Sequence, residues 1–126
     1  MADAKVALPK QHRLNRTREF SQVYRVGRQA STGHLVVRVL NVSEDSTSTV
    51  CSRFGITISQ KVSKRAVVRN RLKRQVRAAL QTLLPQLSPG LWVVVVLRSA
   101  ATQCDYWQFL RELEKLFLDL EVLEGH

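Results

Sequence analysis

The chain has 126 residues, 44% of them apolar, with two cysteines and a formal net charge of +10. That suits one compact domain with a real core and excludes wholesale disorder. The longest apolar run, Leu91–Leu97, is seven residues against the about 20 of a membrane span. Residues 1–9 lack an apolar stretch of signal-peptide length. Cys51 and Cys104 stand far apart without CxxC spacing, which gives neither a zinc site nor a disulfide framework. A soluble, cytoplasmic protein with no membrane role is expected.

Residues 1–12 are polar and aperiodic and read as a flexible tail, ahead of a domain over 13–121 and a short C-terminal tail at 122–126. The first predicted element is a helix over 17–26, with Thr17 placed to cap it. Phe20, Val23 and Tyr24 share one face, and Gly27 is available for a left-handed residue past the end. Residues 34–41, rich in β-branched side chains, predict a strand. A polar connection follows, and residues 49–59 predict strand broken in two near Gly55. After a basic connection at 61–65, a helix is predicted over 66–84, ended by Pro85, Pro89 and Gly90. The apolar run at 91–98 is too continuous for one wet face and predicts a central strand buried on both sides. Thr102 to Asp105 matches a capping box for a last helix reaching about Leu120. Its apolar stripe is Tyr106, Phe109, Leu110, Leu113, Leu116, Phe117 and Leu120. The order α-β-β-β-α-β-α makes a single α+β domain.

Charge is concentrated. Residues 1–100 hold 18 Lys/Arg against four acids, whereas residues 101–126 hold two bases against six acids. Residues 61–77 contain eight bases and no acid, a field that attracts a polyanion, with nucleic acid foremost. Fourteen of the 20 bases are arginine, the side chain suited to forked phosphate contacts and to stacking on bases. At about 100° per residue, Val68, Leu72, Val76, Ala79, Leu80 and Leu83 fall on one side of the central helix. Asn70, Arg71, Lys73, Arg74 and Arg77 fall on the other, with Arg69 at the border. Like-charged pairs such as Arg69–Lys73 and Lys73–Arg77 destabilise an isolated helix. Ordinary solvated faces mix signs, so this one calls for a polyanionic partner.

The run from Ser59 to Arg77, with Arg69-Asn70-Arg71 at its centre, resembles the RNR signature of the protein subunit of bacterial ribonuclease P. His12-Arg13-Leu14 ahead of Phe20, Tyr24 and Gly27, and Phe54-Gly55-Ile56-Thr57-Ile58-Ser59, are similar to that family's N-terminal segment and third strand. The likeness covers about residues 12–120. It implies an α+β fold of the ribosomal S5 domain-2 type with a left-handed β-α-β crossover, an exception to the usual hand. It also implies a protein that assists a catalytic RNA in removing the 5′ leader of precursor tRNA. The RNA and its bound Mg²⁺ would carry the phosphodiester hydrolysis, and the protein would supply no catalytic residue and no metal site. By the same resemblance Lys61, Lys64, Arg65, Arg69, Asn70, Arg71, Lys73, Arg74 and Arg77 would bind RNA. Phe20 and Tyr24 would line the leader cleft, although the apolar helix face by itself reads as core packing, for Phe20 above all. Arg38 stands where some members place another cleft aromatic.

Two other function classes compete. A protein-only nuclease needs converging carboxylates to hold a metal, but Glu112, Glu114, Asp119 and Glu121 read as solvent-facing charges on the last helix. His12, His34 and His126 are isolated in sequence, near neither a cysteine nor a plausible serine nucleophile, and read as surface or terminal residues. A ribosomal or other structural RNA-binding protein fits the charge equally well, and only the RNR match separates it. DNA is not expected as a partner, because a face so dominated by Arg and Lys suits backbone contacts more than base readout.

Overall fold

The computed structural model describes residues 17–41, 52–88 and 90–123. The predicted tail at 1–12, the capping side chain of Thr17 and the start of the predicted strand at 49–51 lie outside what is described. The elements run α1 (Thr17–Val26), β1 (Arg28–Ser31), β2 (Leu35–Asn41), β3 (Arg53–Ile58), α2 (Ala66–Leu83), β4 (Leu91–Leu97) and α3 (Tyr106–Asp119). Short 3₁₀ turns occupy Leu84–Gln86 and Ser99–Gln103. One four-stranded sheet has the order β1-β2-β4-β3. β2 is antiparallel to β1 and β4, while β3 runs parallel to β4, to which α2 connects it.

The element order is the predicted one, but two of its strands are not. Arg28–Ser31 pairs with β2 from Arg28↔Val39 to Ser31↔Val36, although its sequence, RQAS, carries no apolar alternation to announce it. Residues 53–58 form one unbroken strand, with Gly55 buried opposite Val94. A glycine weakens an isolated strand; here the neighbouring β4 ladder holds it. β4 lies between β2 and β3 with Leu91, Val93, Val94, Val95 and Leu97 buried, as its continuous apolar run requires.

The sheet separates two unequal cores. On one face Leu35, Val37, Val39, Phe54, Val93 and Val95 pack with Leu72, Val76 and Leu80 of α2 and Phe109, Leu113 and Phe117 of α3. On the other face Val23 of α1 meets Val94, flanked by the partly exposed Phe20, Leu40, Trp92 and Val96. The stripe predicted for the last helix is buried or half-buried throughout.

Helix ends depart from the sequence reading in two places. The N-cap of α3 is Asp105, whose carboxylate accepts from the Gln108 backbone N–H at 2.9 Å, while Thr102 sits in the preceding 3₁₀ turn. Asp105→Ala should therefore cost about 1 kcal/mol, read from urea unfolding, and Thr102→Ala distinctly less. Gly27 does not adopt the left-handed conformation; a Cβ there would lie 2.5 Å from the Val23 carbonyl oxygen and 2.9 Å from that of Val39. Gly90 does adopt it, at φ 72°, in the turn that feeds β4.

Residues 122 and 123 extend the domain instead of beginning a tail. Val122 is buried, its carbonyl accepts from the Ser88 N–H at 2.8 Å, and Leu123 bridges Leu87. No described helix is long and apolar enough to cross a membrane.

Candidate nucleic-acid interface

α2 is 18 residues long, buries Leu72, Val76, Ala79, Leu80 and Leu83, and turns its cationic side away from the sheet. Lys61, Lys64, Arg65, Asn70 and Arg74 are exposed, and Arg71, Lys73 and Arg77 partly so. Its N-cap, Arg65, makes no side-chain cap hydrogen bond, and the first turn holds no acid. The positive end of the helix dipole therefore adds to the charges of Lys61, Lys64 and Arg65. An anion at this end would relieve a strain that nothing in residues 61–77 relieves.

Arg69 has a second task that its position in the sequence does not disclose. Its Nη1 donates to the carbonyls of Ser59 and Ser63, both at 3.1 Å, and its Nη2 to that of Ile58 at 2.9 Å. Three of its guanidinium N–H groups thus gather the chain between β3 and α2 around one planar fork, leaving two for a phosphate. Arg71 is likewise engaged, with Nη2 donating to the Thr102 carbonyl at 3.0 Å and tying α2 to the turn before α3. Of the nine side chains predicted on this surface, these two are partly internal ties; the sequence marks them only as cations.

Phe20, Tyr24 and Arg38 are brought together on the opposite face of the sheet. α1 lies against β2 and β4 through Val23, which leaves Phe20 half-buried and Tyr24 40% exposed. The Arg38 guanidinium lies 4.8 Å from the centroid of the Tyr24 ring, and its Nη1 donates to the Tyr24 carbonyl at 3.4 Å. This cation–π contact places a flat cation against a partly exposed aromatic ring on that face. An unpaired base can stack there while the cation meets its phosphate.

The histidine reading needs correcting. His34 is isolated in sequence, yet its Nδ1 lies 2.7 Å from Glu112 Oε2, and Cys104 adjoins both. Glu112, read as a solvent-facing charge, has a side chain only 15% exposed. Sequence separation hid the group.

Known proteins resemble the chain over almost its whole length. The family model described as Ribonuclease P matches residues 8–121. The ribonuclease P protein component of Rippkaea orientalis is 46% identical over 121 residues, spanning 96% of this chain and 95% of that protein. The one from Synechocystis is 44% identical over 122 residues, with 96% and 95% spanned. Among solved structures, a mutant RNase P protein of Staphylococcus aureus, defective in mRNA degradation activity, superposes with a TM-score of 0.78 at 25% identity, over 90% of this chain and 92% of that one. The RNase P protein of Thermotoga maritima gives 0.69 at 26% identity, over 82% and 92%.

Proposed function

The chain belongs to the ribonuclease P protein family, and from that premise we propose how its two surfaces divide the work of the holoenzyme. It is the protein component of ribonuclease P, a subunit of a ribonucleoprotein endoribonuclease, and its partner there is RNA. The cationic face of α2, with the connection before it, binds the catalytic RNA, and the cleft of Phe20, Tyr24 and Arg38 receives the 5′ leader of precursor tRNA. Cleavage of the leader to leave the mature 5′ end is the work of the RNA. Residues 61–77 offer no carboxylate to a hard cation, so the proposed RNA surface does not fit Mg²⁺, which the RNA is left to hold. Arg69 and Arg71 act on RNA chiefly by fixing the surface that Lys61, Lys64, Arg65, Lys73, Arg74 and Arg77 present.

The observation that carries this reading is the acid-free cationic side of α2, built on a fully packed apolar side. The experiment is cleavage of a 5′-extended precursor tRNA by bacterial ribonuclease P RNA at low Mg²⁺, with and without the protein and with a protein-alone control. Strong stimulation and no activity from protein alone are expected; tight RNA binding without stimulation would favour a purely structural RNA-binding role. A Tyr24→Ala change should weaken binding of long-leader precursors by about 1–2 kcal/mol, within the range for base stacking, and leave leaderless tRNA unaffected. Equal losses on both substrates would remove Tyr24 from the leader cleft.

A further inference from the structure

The β1–β2 turn, the segment before α3, and α3 itself converge on three side chains. One ring nitrogen of His34, Cys104 Sγ and a Glu112 carboxylate oxygen all lie within 4.8 Å of one another. Among the described residues this is the one group of three or more His, Cys, Asp or Glu side chains close enough to share an ion. Nothing in the RNA-binding reading uses it.

The surroundings hold these donors in place. Glu112 accepts from the Thr32 hydroxyl on Oε1 and from Gln108 Nε2 on Oε2 at 3.2 Å. The same Thr32 oxygen accepts from the backbone N–H groups of His34 at 3.2 Å and Leu35 at 3.1 Å, so turn and carboxylate are locked by one hydroxyl. The His34 carbonyl accepts from the Arg98 N–H at 2.8 Å, and the Cys104 N–H donates to the Ala101 carbonyl at 3.0 Å. Outer contacts of this kind orient the ligands of metal sites. Cys104 is buried, while Glu112 borders an open depression lined also by Gln108, Arg111 and Lys115. The group is closed on the core side and accessible to solvent on the other.

We propose that His34, Cys104 and Glu112 form a zinc site, with imidazole nitrogen, thiolate sulfur and carboxylate oxygen as three ligands and a water as the fourth. The donor set decides the ion: one sulfur, one nitrogen and one oxygen suit borderline-soft Zn²⁺, whereas Mg²⁺ and Ca²⁺ take oxygen. Tetrahedral zinc, with bonds of about 2.0–2.3 Å, sets its ligand atoms roughly 3.3–3.8 Å apart. The His34–Glu112 contact opens from its 2.7 Å hydrogen bond, and Cys104, within 4.8 Å of both, closes by roughly 1–1.5 Å at most. A cysteine thiol is protonated at neutral pH. Binding forms the Zn–S bond and releases the thiol proton to solvent. The bound ion clasps the β1–β2 turn to α3.

The test uses the full chain, titrated with Co²⁺ and then Zn²⁺. One Co²⁺ per chain with sulfur-to-cobalt charge-transfer absorption is expected, displaced by Zn²⁺, together with a Zn²⁺-dependent rise in melting temperature. Cys104→Ser should abolish the charge-transfer band, and Cys51→Ser should leave it intact. Glu112→Gln and His34→Gln should each weaken Zn²⁺ binding at least about 100-fold, since losses in the outer shell alone reach about 10–100-fold. These two variants carry the test should Cys104→Ser fail to fold. No charge-transfer band with the native chain, a band lost with Cys51→Ser instead, or Zn²⁺ affinity unchanged in Glu112→Gln and His34→Gln would overturn the site and leave His34–Glu112 as a plain polar tie beside an inert thiol.

Discussion

Arg69→Ala is expected to destabilise the free protein by about 3 kcal/mol and to weaken its RNA binding as a consequence. The arginine donates to the carbonyls of Ile58, Ser59 and Ser63 at 2.9–3.1 Å. Hydrogen bonds to a charged donor are worth roughly 1.5–3 kcal/mol each when buried. The fork is only part-buried, and the freed carbonyls regain water, so the total falls well short of three full bonds. Because these contacts shape the chain that carries Lys61, Lys64 and Arg65, their loss loosens the cationic surface beyond the charge removed. Urea unfolding of the free protein, beside the salt dependence of RNA binding, separates the two roles. A mere phosphate ligand would leave stability intact and lower the salt slope by about one contact, the behaviour expected of Lys73→Ala. Arg69→Lys keeps the charge but not the planar fork, so it should fail to restore stability; full rescue by lysine would refute the clamp.

Gly27→Ala should detach α1 from the sheet, costing about 3 kcal/mol, the upper part of the usual range for overpacking. The added Cβ would stand 2.5 Å from one backbone carbonyl oxygen and 2.9 Å from another. Neither is a side chain that can swing aside. One of these oxygens, that of Val23, also accepts the Gly27 N–H at 2.9 Å, so the helix end cannot shift without losing that bond. Moving α1 separates Tyr24 from Arg38 and opens the small core of Val23 and Val94. Leader-dependent binding should fall with stability in this variant, while binding of the catalytic RNA through α2, on the opposite face of the sheet, should be largely kept. A melting temperature equal to that of the native protein would show that the backbone accommodates the methyl group.

The helices and the central strand were legible because burial leaves a periodic record. Val68, Leu72, Val76, Ala79, Leu80 and Leu83 recur at helical spacing, and 91–97 is apolar without a break. β1 left no such record: as an edge strand of four residues it turns only Ala30 toward the large core. Gly55 misled in the other direction, since its low strand preference is overridden by pairing with Val94. Gly27 was singled out for conformational freedom, whereas what the fold requires is the space of its missing side chain.

The sequence by itself determined the class of fold, the cationic side of α2 and, through the run around Arg69-Asn70-Arg71, the family, because periodicity and charge density are local properties. The tertiary structure alone decided which cations are also internal ties, that Arg38 stacks on Tyr24, and that His34 meets Cys104 and Glu112. Those contacts join residues 14 to 78 positions apart or, for Arg69, depend on where a loop's carbonyls point. Only the packing of helices on a sheet sets such geometry, and composition carries no trace of it.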